Sequence, residues 1–270
     1  IEEGSEKGKK VVLNPLISCG ECNYCKNGRE HLCAKRIILG MNKPIERQGC
    51  FAELVLTPDK NIYELPSNLD IKQAPIAEPT AVALHAVELG EEVLKKPLDQ
   101  SRVLIIGGGA IGLLCALILE KYKKCKKIVL VDPNEKRLKV CGDHLNSETL
   151  KPDNLSIKDS SFDVVFDTVG LEITRQNSIK SVNPGGVIIH IGLTQPSGTF
   201  NFRKATLQEI TFVGTYCYTN KDFENTLNLL SNHTLGKLEW IEYRELRKGA
   251  DAFKEIHNGT CSAPKIILIP

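Results

Sequence analysis

The chain lacks any apolar run near the roughly 18 residues a membrane-crossing helix needs, so no membrane partner is expected. It lacks a charge imbalance: 35 Lys and Arg stand against 33 Asp and Glu, a net +2. Near-neutral charge argues against nucleic acid or another polyanion as partner. There is no internal repeat, no low-complexity tract and no recognisable secretory leader. Ten cysteines in 270 residues are too sparse for a secreted disulfide scaffold. Reduced thiols in a cytoplasmic protein are expected instead. The length is ample for a buried core in one large domain or two ordinary ones. The chain opens at Ile1 with a polar stretch leading into Val11-Val12-Leu13. That opening, in mid-theme and without methionine, leads us to expect an upstream segment.

Four of the cysteines are clustered at Cys19, Cys22, Cys25 and Cys33, in the spacing C-x2-C-x2-C-x7-C. Thiolates with two residues between them turn back on one another, and four of them form a closed tetrahedral zinc site with no open position. Such a site stabilises a loop that has no core of its own. A bacterial-type iron–sulfur run calls for a three-residue gap and a proline after the last cysteine; here the gap is seven and Ala34 follows. A zinc ribbon calls for two paired C-x2-C units about 15–20 residues apart, and these are absent. Structural zinc is the expectation, with an iron–sulfur cluster and unligated thiols as the alternatives. His31 falls inside the loop and reads as an exposed bystander. The scattered Cys50, Cys115, Cys125, Cys141, Cys217 and Cys261 read as small buried apolar residues.

Farther on comes Gly107-Gly108-Gly109-Ala110-Ile111-Gly112. The G-x-G-x-x-G pattern is weak alone, but here it follows the apolar run Val103–Ile106 and opens an apolar helical stretch to Tyr122, the context that gives it meaning. Gly107 permits the tight turn, Gly109 lets backbone approach a pyrophosphate, and Gly112 lets helix and strand pack closely. The helix start offers free N–H groups to phosphate. Asp132 lies twenty residues past Gly112, after a second apolar run. A carboxylate there accepts from a ribose 2′-hydroxyl and repels a 2′-phosphate, so NAD is favoured over NADP. A plain helix cap is the alternative for Asp132, and a plain surface arginine for Arg137, which otherwise flanks the adenosine.

Residues 11 to 60 read as short strands and loops, with strands at Val11–Leu16, Gly49–Thr57 and Asn61–Pro66. Pro75 to Val93 reads as a helix, with Pro79 in its first turn. Apolar runs at Val103–Ile106, Ile128–Val131, Phe162–Val169, Gly186–Ile191 and Ile210–Gly214 alternate with helical stretches. The fold class is therefore α/β, with a doubly wound parallel sheet. Between Asp132 and Phe162 a third strand is expected to be short. Lys121–Lys127 reads as a solvated helix end, and Lys265–Pro270 as a closing strand.

Asn14–Cys33, with its four cysteines, resembles the structural-zinc lobe of the zinc-dependent medium-chain dehydrogenases. Gly49-Cys50-Phe51-Ala52-Glu53-Leu54-Val55 resembles the strand after that lobe. Ala77-Glu78-Pro79-Thr80-Ala81-Val82-Ala83-Leu84-His85-Ala86 resembles the helix joining the family's two domains, and Val103–Gly112 its NAD turn. The resemblance covers essentially the whole chain. It implies a GroES-like, mainly β catalytic domain over residues 1–83, incomplete at its N-terminus. It also implies a Rossmann domain over 84–238 and a return to the catalytic domain over 239–270. It implies zinc and NAD as cofactors, with Gly107, Gly109, Ala110, Ile111, Gly112, Asp132 and Arg137 at the coenzyme. It further implies a catalytic zinc whose cysteine and Gly-His-Glu ligands lie upstream of the cysteine lobe; neither is present here. Glu78 occupies the remaining ligand position and is expected as a catalytic, zinc-side carboxylate, the alternative being a first-turn partner for the helix. His85 and His190 are expected to be structural. The implied activity is hydride transfer from a secondary alcohol, a polyol or sugar acid, to NAD, in a dimer or tetramer. The alternatives are a non-catalytic NAD- and zinc-binding fragment and an alcohol- or threonine-type dehydrogenase.

Overall fold

The computed structural model describes residues 1–3, 6–41, 47–154 and 160–270. Its first part is a set of short pieces. β1 (Val11–Leu13) and β2 (Leu16–Ile17) flank Asn14-Pro15, so the expected single strand is two. Proline supplies no N–H to a ladder, which explains the break. The cysteine loop carries one helical turn, α1 (Asn23–Lys26). β3 (Ile37–Ile38) pairs antiparallel with β2, and β4 (Ile62–Glu64) with β1. Gly49–Thr57 is not a strand. Its residues are apolar from Cys50 to Leu56 except for Glu53, yet Phe51, Leu54 and Leu56 stand 67%, 72% and 87% exposed. Among the described residues it has no neighbouring strand, and an unpaired segment has no ladder to hold it extended.

α2 (Ala77–Val93) is a 17-residue helix whose Ala81, Ala83, Leu84, Ala86 and Val87 are all fully buried. It leads to β5 (Arg102–Ile106) and α3 (Ala110–Leu117), whose last turn continues in π-helical winding to Tyr122. Then come β6 (Lys127–Val131), α4 (Glu135–His144) and β7 (Glu148–Leu150). β7 is the short third strand expected. β8 (Phe162–Asp167), α5 (Glu172–Ser181), β9 (Val182–His190), α6 (Phe202–Leu207) and β10 (Thr211–Gly214) follow.

Six parallel strands form one sheet in the order β10-β9-β8-β5-β6-β7. Side chains alternate across it as the pleat demands. Val103, Ile105, Leu130, Val164, Phe166 and Ile189 face a core shared with α2 and α3. Leu104, Ile106, Val129, Val131, Val165 and Ile188 face the opposite core with Ile179 of α5. A parallel sheet is covered on both faces, which is why its strands read as unbroken apolar runs. Strand order reverses between β5 and β8. Ligands of such sheets bind beyond the carboxyl ends of the strands at that switch point.

The chain continues with α7 (Asn220–Ser231), packed on α2, and then β11 (Ile241–Glu245), α8 (Gly249–His257) and β12 (Lys265–Ile269). β11 and β12 form a separate two-stranded parallel pair. Among the described residues no helix is long and apolar enough to cross a membrane.

Candidate metal centre and coenzyme cleft

The four clustered thiols converge. Cys19, Cys22, Cys25 and Cys33 bring their sulfurs within 4.8 Å of one another. Cys19 and Cys25 sulfurs lie 3.8 Å apart, and those of Cys22 and Cys25 3.5 Å. Zinc with sulfur at about 2.3 Å requires tetrahedron edges of about 3.8 Å, so the donor set and spacing fit that ion. The Cys22 N–H donates to the Cys19 sulfur at 3.4 Å, and the Cys19 N–H to the Cys33 sulfur at 3.5 Å. Backbone donors of Glu21 and Cys22 lower the Cys19 thiol to about 6, while burial raises Cys25 to about 11. A divalent cation would hold all four as thiolates.

At the switch point the glycine-rich turn is geometrically constrained. Gly107 has φ +106, and a Cβ there would lie 2.6 Å from the Thr168 Oγ1. At Gly112 a Cβ would meet the Gly107 carbonyl oxygen at 1.8 Å, so no larger residue fits. Gly109 differs: a Cβ there meets nothing within 4 Å. Its backbone borders open space at the start of α3. There the N–H groups of Ala110, Ile111 and Gly112 fall in the first turn and have no partner within the helix. That is a fitting cradle for phosphate. Gly108, which the motif leaves unassigned, donates its N–H to Asp132 Oδ2 at 2.7 Å. Asp132 is buried and also accepts from the Asn134 N–H at 2.8 Å and from Arg137 Nη1 at 3.4 Å. The turn, Asp132 and Arg137 thus form one connected group.

Glu78 sits in the first turn of α2, half-buried. Burial raises its carboxyl above the ordinary carboxylate range, while Lys265 and the Tyr218 hydroxyl pull it back. Tyr218 is 1% exposed, stacks on Phe223 at 5.7 Å and donates to Asn14 Oδ1 at 3.3 Å. Beside it Cys217, a non-glycine residue, has φ +50, and burial pushes its thiol up to about 11. Tyr218, Cys217 and Lys265 were not singled out as site residues from sequence. They come from distant segments, and no local motif marks them. The Thr219-x-x-Asp222 capping box was the one readable signal nearby.

The histidines divide. His85, in α2, bonds through Nδ1 to Asp222 Oδ2 at 2.8 Å, both buried. His190 bonds likewise to Asp167 Oδ2 at 3.1 Å. Burial works against the Asp167 charge, but His190, Gly170, Val169 and Thr174 outweigh it and hold its carboxyl below the usual range. The expectation for His31 is overturned: it is 5% exposed, its ring edge-on to His85 at 4.7 Å. Burial first, then the His85 charge, lowers it to about 4. Of the scattered cysteines Cys50 is exposed and Cys217 half-buried; the other four are buried.

The Alcohol dehydrogenase GroES-like domain model matches residues 2–67, and the Zinc-binding dehydrogenase model matches residues 110–232. The chain belongs to the zinc-dependent medium-chain dehydrogenase family, with a Rossmann doubly wound sheet and a GroES-like part. It is 26% identical to a probable D-xylulose reductase A of Neosartorya fischeri over 269 residues, covering 95% of this chain and 73% of that protein. It is 30% identical to L-idonate 5-dehydrogenase of Vitis vinifera over 240 residues, covering 81% of this chain and 62% of that protein. Among solved structures, L-idonate 5-dehydrogenase of Escherichia coli superposes with a TM-score of 0.85 at 24% identity, covering 97% of this chain and 76% of that one.

Proposed function

We propose that the chain is part of an NAD-dependent zinc dehydrogenase acting on a secondary alcohol, a polyol or sugar acid. One observation carries this reading. Tyr218, which reaches Glu78, lies on the segment leaving the carboxyl end of β10. The glycine-rich turn leaves the carboxyl end of β5 in the same parallel sheet. The Glu78 carboxyl group, through Tyr218, and a phosphate cradle are therefore both associated with the carboxyl end of the sheet. The names of the xylulose reductase and idonate dehydrogenase relatives support a polyol or sugar acid as substrate.

The roles follow from the residues. Gly107, Gly109, Ala110, Ile111 and Gly112 hold the pyrophosphate by backbone N–H groups and close approach. Asp132 accepts from the ribose, and Arg137 flanks it. Nicotinamide supplies the hydride chemistry; the protein orients it. Cys19, Cys22, Cys25 and Cys33 hold a structural zinc. A catalytic zinc takes three protein ligands. Among the described residues no cluster of three metal-binding side chains includes Glu78, so no step is routed through a metal there. With its carboxyl raised, Glu78 holds a proton near the alcohol more readily than an exposed carboxylate does. A second reading, NAD and zinc binding without turnover, is favoured by the lack of a three-ligand cluster at Glu78 among the described residues.

The domain division is proposed as 1–83 and 239–270 for the catalytic part and 84–238 for the coenzyme part. A homo-oligomer is proposed because β10 ends the sheet as an open edge, with Phe212 45% exposed. A reducing compartment, the cytoplasm, suits a thiolate metal site.

The test is metal analysis and NAD titration of the purified chain, followed by NADH absorbance across a polyol panel. One tightly held zinc, NAD binding and turnover of a polyol are expected. Zinc and NAD binding with no turnover selects the second reading, and loss of both bindings removes the proposal.

A further inference from the structure

We propose that the cysteine lobe acts as a splint for the segment Tyr216–Thr219, through Arg36 and through the chain His31–His85–Asp222. These are positioning residues for the cleft around Glu78; the functional weight of that cleft rests on the reading above.

The segment needs an external hold. Cys217 lies in the left-handed region at φ +50, which a residue with a Cβ occupies only when its surroundings enforce it. Before it, the backbone is fixed where the Thr215 N–H meets the His190 carbonyl at 3.1 Å. After it, Thr219 caps α7. Two of the side-chain ties on the stretch between lead back to the cysteine lobe.

The first tie is Arg36. Its guanidinium lies over the Tyr216 ring, 4.7 Å from the centroid, and Nη1 donates to the Cys33 carbonyl at 3.1 Å. One cation therefore bonds the backbone of a metal-site cysteine and stacks on the residue before Cys217. The second tie runs through buried groups. His31, two residues before Cys33, meets the His85 ring edge-on at 4.7 Å. His85 bonds Asp222 Oδ2 at 2.8 Å, and that oxygen also accepts from the Thr219 N–H at 2.8 Å and the Thr219 hydroxyl at 2.7 Å. The two ties grip opposite ends of one four-residue stretch. Cys217 and Tyr218 lie between them, and Tyr218 reaches Glu78. Ordering the sulfurs thus orders the wall of the cleft.

The test is amide hydrogen exchange over residues 215–222, read by mass spectrometry on the zinc-loaded chain. Arg36→Met removes the first tie and His85→Leu the second. Arg36→Lys keeps a cation but not a planar one. Lys139→Ala, which removes an exposed pair with Asp143 on α4, is the control. Arg36→Met and His85→Leu should each exchange about tenfold faster across 215–219, with one zinc retained and exchange in β5 and β8 unchanged. Arg36→Lys should fall between, and the control should match wild type. Stripping zinc from wild type should speed the same stretch, and should add little in the Arg36→Met, His85→Leu double variant. Wild-type exchange at 215–219 in both single variants, zinc retained, overturns the proposal. If His85→Leu fails to fold, Arg36→Met decides alone. Exchange does not depend on turnover. Faster exchange without polyol activity in any protein would therefore sink the reading of the cleft and leave the splint standing.

Discussion

The six-stranded sheet and the cysteine lobe are stabilised in opposite ways. The inner strands β5, β6, β8 and β9 bury side chains on both faces, and residues such as Leu104, Ile105, Phe166 and Val165 are wholly inaccessible. Around Cys19–Cys33 only His31 and Cys33 are buried. Area removed from water holds the sheet, at about 25 cal/mol per Å² of apolar surface. Too little area is removed in the lobe for that to suffice, and convergent sulfurs take its place. One region should therefore be indifferent to a chelator and the other dependent on it.

The largest effect that would break this contrast is metal removal. Zinc bound to four thiolates contributes directly to local folding free energy. Chelation, or Cys25→Ser, should open residues 19–36 to proteolysis. NAD affinity should change by less than about threefold, because distant sites act nearly independently. Limited proteolysis and coenzyme titration on the same sample check both halves, and loss of NAD binding on chelation would merge the two regions into one unit.

Next in size is the converse experiment. Gly112→Ala places a Cβ 1.8 Å from the Gly107 carbonyl oxygen, a backbone atom that cannot move aside cheaply. A loss of about 3 kcal/mol of stability is expected, with NAD binding abolished and zinc content unchanged. Thermal unfolding and metal analysis report on it.

The smallest effect concerns pH. His31 titrates at about 4 in the fold against an ordinary 6.5, with His85, Asp222, Arg29 and Arg36 the charged groups around it. Between those values the unfolded chain holds the extra proton. Stability is therefore full above 6.5 and falls as pH drops through that window, by at most about 3 kcal/mol. His31→Leu should flatten that part of the stability–pH curve. The four thiolates are common to both proteins, so their own acid loss cancels in the difference. Equal slopes for variant and wild type would remove the buried histidine from the account.

The same contrast explains what was legible in the residues alone. The sheet was readable because double-sided burial writes itself as apolar runs, and the metal site because thiolates need close spacing. The strand expected at Gly49–Thr57 had an apolar run but no partner, and pairing is not a local property. β9 begins at Val182, earlier than the apolar run, because it passes through Pro184 and Gly185, which read as a break. The burial of His31 depends on His85, 54 positions away in sequence, and no spacing rule reports such a contact. Glu78 could be named, but Tyr218, Cys217 and Lys265 gather with it only in three dimensions.

Asp132 carries a consequence for how the coenzyme is received. Its oxygens are engaged with Gly108, Asn134 and Arg137, and Asn134 reaches the Gly259 carbonyl at 3.1 Å. The acceptor awaiting the ribose is thus immobilised before any ligand arrives, so little rotamer freedom remains to be lost on binding. Through Asn134 the C-terminal stretch shares that anchor, and movement in the tail would be felt at the adenosine end of the dinucleotide.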